Sequence, residues 1–204
     1  MKETGIIMSG NQPSLILDGR KTMTRRTWGL EEINKDPDSW VLLTGTTVTA
    51  QKGIFEFWSD KGYQTIRVKC PYGGVGDWLY CKETSYKLEG TTTWLYKADN
   101  TPMLNTLAFP TPIDKTVTKS SRFMPKWAAR IWREITEVRA EKLWTITPGD
   151  CVREGVQVQF TGDLKPRFKE LWDFLYAKRG HGWDKNEWVF VISFKEGRRC
   201  QSTG

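Results

Sequence analysis

Lys21 and Thr24 stand three residues apart in Gly19-Arg20-Lys21-Thr22-Met23-Thr24-Arg25-Arg26, a run of four cations and two hydroxyls. A lysine desolvated in a pocket can lose its proton near neutral pH. It can then accept the hydroxyl proton of a nearby threonine and turn that threonine into a nucleophile. The two side chains must meet for this to happen. Residues three apart point to opposite faces of a straight strand but are neighbours in a helical or tight turn, so the chemistry demands a bend between residues 21 and 24. The same residues have a plainer use: cations that follow a helix complement its negative C-terminal end, and threonines are ordinary strand residues.

Elimination narrows the other possibilities. The chain has one histidine, His181, flanked by Gly180 and Gly182 and without an evident partner, so Ser-His-Asp and Cys-His catalysis have little support. Cys70, Cys81, Cys151 and Cys200 form no C-x-x-C pair and have no neighbouring histidine. They read as reduced thiols, not as a zinc ligand set, and no metal or cofactor is expected. The H-x-E and P-C-x-x-C signature of the zinc deaminases is absent. The glycine cluster Gly73-Gly74-Val75-Gly76-Asp77 lacks the G-K-[ST] ending of a P-loop.

Charge and aromatic content suggest a partner. Against 24 Asp and Glu stand 31 Lys and Arg, a net charge of +7, which favours a polyanion. The 11 tryptophans matter because unpaired bases stack on aromatic faces while a basic groove holds their backbone. Trp172 and Trp188 fall in apolar patterns and belong to the core; Trp28, Trp58, Trp94 and Trp127 stay open. Lys126, Trp127 and Arg130 place cation, ring and cation within five residues, which suits a phosphate-and-stacking contact with single-stranded nucleic acid. A ring packed beneath solvated charges is the other use of that pattern. No run approaches the length of a membrane span, and the apolar stretch near the N-terminus is too short for a secretion signal. A soluble, cytoplasmic protein is expected, of unknown oligomeric state.

The elements that must position these residues are partly legible. Asn11, Pro13, the apolar Leu15 to Leu17 and Gly19 predict a short helix that ends at the basic run. The stretches 40–50, 54–58 and 63–70 read as strands, the last two joined as a hairpin by Ser59-Asp60-Lys61-Gly62. Further strands are expected over 78–82, 93–99 and, with a bulge, within 122–143. Residues 99–120 show no periodic pattern. Thr147-Pro148 followed by Asp150 opens a short helix that stops near Gly155. Phe168, Leu171, Trp172 and Leu175 fall at i, i+3, i+4 and i+7 of a helix ended by Gly180. The β-branched, apolar stretch 187–195 predicts a central strand. Six or seven strands and three short helices without β-α alternation favour an α+β domain on a curled sheet or barrel.

Four stretches carry a family resemblance. Gly19, Lys21 and Arg26 satisfy G-x-K-x-x-x-x-R, and Gly76-Asp77-Trp78-Leu79 resembles a G-D-x-L strand with an acid downstream. With Phe123 to Ile131 and the late Trp188 to Phe194, the order resembles the ASCH domain of the PUA-like superfamily, phage- and prophage-encoded members in particular. The resemblance implies one PUA-like domain over 1–204, a curled β-barrel with a few short flanking helices and insertions at about 29–65 and 85–120. It implies a cleft that takes a nucleoside or single-stranded nucleic acid. It also implies an amidohydrolase that removes the acyl group of N(4)-acylated cytidine, with Lys21 as base, Thr24 as nucleophile and Glu83 to position Lys21 or relay a proton. Arg25 and Arg26 then supply charge at the rim, Arg26 by pairing with a carboxylate or holding a phosphate. A non-catalytic reader of a modified base in RNA or DNA is the alternative.

Overall fold

A computed structural model describes residues 1–43, 50–88, 94–99, 116–157 and 163–196. In chain order they form β1 (Glu3–Ile7), α1 (Gln12–Leu17), β2 (Met23–Arg26), β3 (Val41–Leu43), β4 (Ile54–Ser59), β5 (Gln64–Lys69) and β6 (Trp78–Lys82). Then come β7 (Ser85–Leu88), β8 (Trp94–Tyr96), β9 (Thr116–Lys119), β10 (Trp132–Lys142), α2 (Pro148–Arg153), α3 (Leu164–Tyr176) and β11 (Trp188–Glu196). The result is α+β, mostly strand, with a few short helices.

The central sheet runs β1-β6-β10-β11-β2. Its register decides which side chains can share a site. Arg26 pairs with Phe190 and Thr24 with Ile192, whereas Arg25 pairs with Val191 and Met23 with Ser193. Directly paired residues share a face. Phe190 and Ile192 belong to one apolar cluster, with Ile135, Val138, Phe55 and Phe57; Val191 and Val189 belong to another, with Met23, Cys151, Phe168 and Trp172. The first face is covered by the separate antiparallel sheet β3-β4-β5, where Phe57 meets Trp188 edge-on at 4.9 Å. The second is covered by α2 and α3. Burial on both faces is why β11 reads as an unbroken apolar run.

Several expected elements are present. The hairpin is β4-β5, and the bulge in β10 is a register shift between Ile135 and Glu137. Thr147 caps α2 by accepting from the Asp150 N–H at 3.1 Å. Asn11, by contrast, precedes α1 without a side-chain cap, and Gly19 ends that helix at φ +71°. Strand β1 has too few apolar residues to show an alternating pattern, and it forms by parallel pairing with β6. No closed barrel is found among the described residues. The five-stranded sheet keeps two edges, β1 and β2. The described part of the insertion expected at about 29–65 buries Leu30, Ile33, Phe55 and Phe57 in the main core. The sheet β8-β7-β9 occupies the described parts of the second expected insertion; 89–93 and 100–115 lie outside the described residues, as does Cys200.

Candidate functional site

After α1 a turn through Asp18 and Gly19, the latter at φ +71°, leads into β2. The Lys21 N–H donates to Leu15 O at 2.9 Å, the Thr22 N–H to Arg153 O at 2.9 Å, and Thr22 O accepts from Phe194. The ladder to β11 therefore begins at Thr22, and the alternation of a strand holds from Lys21 onward. Lys21 and Arg25 lie on the helix-covered face and both reach Glu154, just past α2: Lys21 Nζ at 2.7 Å and Arg25 Nη1 at 3.2 Å. Thr24 is buried on the other face by register, and no hydrogen bond joins it to Lys21 among the described residues. Thr24 does line a small gap together with Arg25 and Glu154, but its register partner is Ile192.

Lys21 is a sealed cation. Its side chain is 1% exposed and also donates to Glu154 O at 2.8 Å. Burial pushes its pKa down, and the Glu154 carboxylate opposes that shift. Arg25, expected at the rim, is buried instead. Its Nη2 sits 2.7 Å from both Glu141 Oε1 and Asp150 Oδ2, and its guanidinium lies 5.8 Å from the Phe168 ring centre. Arg139 extends the network to Asp150, Glu141 and Glu137. These groups tie α2 to the sheet through charge.

Glu83 is not the carboxylate of Lys21. It is buried at the end of β6, where its Oε1 accepts from Arg130 Nε at 2.9 Å and its Oε2 from Arg130 Nη2 at 3.2 Å. Arg130 also stacks 4.2 Å from the Tyr96 ring centre. Lys126 forms an ion pair with Glu3, and Trp127 is largely exposed beside it. The cations of this stretch are thus already matched by carboxylates, which weakens their pull on a phosphate backbone.

Arg26 behaves differently from every neighbour in the basic run. Its Nη1 donates to the Tyr176 hydroxyl at 2.7 Å, and its Nη2 donates to Ile7 O at 2.9 Å and meets Met8 Sδ at 3.3 Å. One side chain thereby spans from edge strand β2 to edge strand β1. Its Nε is buried without a partner among the described residues. Beside this bridge opens a cavity of about 350 Å³, with Gly5 and Ile7 of β1 on one side and Arg26, Thr27 and Trp28 on the other. Gly5 has to be glycine here, because a Cβ would lie 2.8 Å from the Tyr80 ring. Trp28 is 55% exposed and meets Tyr72 edge-on, ring centres 5.5 Å apart. Burial pushes the Tyr72 phenol up and keeps it neutral, with Arg26 opposing.

Arg122 and Arg179 complete the charged part of the lining, His181 stands beside them, and no Asp or Glu lines the cavity among the described residues. His181 does have a partner, contrary to expectation: its Nδ1 lies 2.8 Å from Oε2 of the buried Glu187. That carboxylate fixes the ring orientation. The six-residue separation of His181 and Glu187 spans a 3-10 turn at Trp183–Lys185 and a left-handed Asn186, a path that no spacing rule anticipates. Among the tryptophans, Trp28 lines the cavity, Trp172 and Trp188 lie in the core, and Trp58 sits part-exposed on β4.

Lys21 and Glu83 are absent from the cavity lining, whereas Arg26 sits in it. The described thiols Cys70, Cys81 and Cys151 are buried, and burial pushes Cys81 up to about 12 and the other two to about 11, so they are inert as nucleophiles. No group of three or more metal-ligating side chains, and no helix long and apolar enough to cross a membrane, occurs among the described residues. Compared with known proteins, the chain matches no family model, no curated sequence and no solved structure.

Proposed function

We propose that this chain is an ASCH-type, PUA-like module, working in the cytoplasm, that holds a nucleobase of single-stranded nucleic acid or a nucleotide between β1 and β2 as a reader. One observation carries the reading: a cavity with aromatic walls at Trp28 and Tyr72, a guanidinium floor at Arg26 and no described carboxylate. Aromatic faces hold bases and unmatched cations hold phosphates. A five-stranded sheet whose edges approach at Arg26 fits an open version of the PUA-like barrel.

Removal of an acyl group from N(4)-acylated cytidine is the less favoured reading. It requires Lys21 to leave Glu154 and reach Thr24, which occupies the other face of β2. Quenching of tryptophan fluorescence by short single-stranded RNA and DNA at low salt tests the reader. Binding that weakens steeply as salt rises, and that is lost in Arg26→Gln, is the expected result. No binding at low salt would overturn the proposal. Release of cytidine from N(4)-acetylcytidine by wild type but not by folded Lys21→Ala would instead restore the hydrolase.

A further inference from the structure

We infer that the cavity takes a terminal phosphate monoester, so that its ligand is a nucleotide or a phosphorylated strand end, not a neutral nucleoside or an internal stretch of backbone. The inference rests on the cavity being a base site and adds a phosphate subsite to it.

Charge counting carries the argument. Arg26, Arg122 and Arg179 line the cavity, and none of the three has a carboxylate partner among the described residues. Arg25, Arg130 and Arg139 by contrast each hold at least one carboxylate, whereas the buried Arg133 is satisfied by the Trp132 and Ile16 carbonyls. Three guanidiniums thus line one small space with no described carboxylate to offset their charge, which makes its potential positive. An internal phosphodiester brings a single negative charge, whereas a monoester brings about −1.5 to −2 at pH 7, with three strong acceptor oxygens. The monoester is the better match in charge and in acceptors, and planar guanidinium forks suit it.

The geometry agrees. Arg26 is anchored at both Nη atoms by neutral acceptors, the Tyr176 hydroxyl and Ile7 O, so its charge is positioned but not neutralised. His181 is held by Glu187 through Nδ1, which leaves Nε2 as the ring nitrogen that remains to meet a ligand. At about 350 Å³ the cavity lies at the small end of ligand sites, which span roughly 300–1,000 Å³, so it has room for one nucleotide and not for a run of them.

Calorimetric titration of the full chain with four 5'-nucleoside monophosphates, the matching nucleosides and inorganic phosphate tests the subsite. At least one monophosphate should bind about tenfold tighter than its nucleoside, and Arg122→Gln and Arg179→Gln should each erase most of that difference. Both arginines are exposed, so these variants should melt as wild type does. A 5'-phosphorylated oligonucleotide should likewise bind more tightly than the same strand with a 5'-hydroxyl. Equal affinity for nucleoside and monophosphate would overturn the phosphate subsite while leaving the base site standing. Inorganic phosphate binding as tightly as any nucleotide would uphold the subsite and overturn the base site. Failure of every probe would overturn both.

Discussion

Lys21 Nζ and Glu154 Oε2 lie 2.7 Å apart, with both side chains almost sealed from solvent. Glu154 also accepts from Arg25, so one carboxylate serves two buried cations. Breaking a buried pair by removing one partner is costly because it strands the other charge. Glu154→Gln should therefore lower stability by about 3–5 kcal/mol in urea denaturation. Lys21→Met should cost clearly less, since Glu154 keeps Arg25. Equal losses would mean that Arg25 does not compensate Glu154 once the Lys21 charge is gone.

The same network sets a pH dependence. Burial, the largest influence on Asp150, raises its pKa, but Arg25 and Arg139 outweigh it and hold the carboxyl below its ordinary value of 3.8. The folded state then binds fewer protons than the unfolded chain. Its contribution is complete above 3.8 and is lost as pH falls through the lowered folded value. Melting temperatures followed from about pH 5 to pH 2 should drop faster for wild type than for Asp150→Asn. Lys21 acts at the other end: its lowered folded pKa means that the unfolded chain binds more protons, so stability rises with pH through the window below 10.5.

Much of the core was legible because its signals are local. Phe168, Leu171 and Trp172 announce α3 by spacing, and the apolar run 188–194 announces a strand buried on both faces. The site was only half legible. Lys21 was singled out correctly as buried, but its partner Glu154 is 133 residues away and carries no local mark. The resemblance places an acid downstream of the G-D-x-L strand and so pairs Glu83 with Lys21, whereas in the fold Glu83 meets Arg130. The cavity escaped notice because it is made by two edge strands meeting, and β1 has too weak a pattern to reveal itself. One signal could have found it: Arg26 lies one residue beyond Arg25 on a strand, so the two had to face opposite ways.

The glycine cluster before β6 has a packing role that substitution can expose. A Cβ on Gly74 would meet the Gln51 carbonyl oxygen and come within 2.7 Å of the Lys52 carbonyl carbon, both backbone atoms. The adjoining Val75 N–H donates to Gln51 O at 2.7 Å, so the two segments cannot easily part. Gly74→Ala should therefore destabilise by about 1–3 kcal/mol. A wild-type melting curve with weakened nucleotide binding would instead assign the cluster to a ligand.

Trp28 separates the two halves of the proposed ligand. It is more than half exposed, and its contact with Tyr72 is a single edge-to-face pair, so Trp28→Ala should leave the urea midpoint within about 0.5 kcal/mol of wild type. A base stacked on that ring contributes about 1–3 kcal/mol, and its loss should weaken nucleotide binding by roughly tenfold or more. Inorganic phosphate, which has no aromatic face, should bind the variant as it binds wild type. Arg179→Gln should show the converse, a loss on phosphate-bearing ligands with little change for the nucleoside. If both variants weaken nucleoside and phosphate alike, the cavity has no separate base and phosphate subsites, and Trp28 acts only by shaping the mouth between β1 and β2.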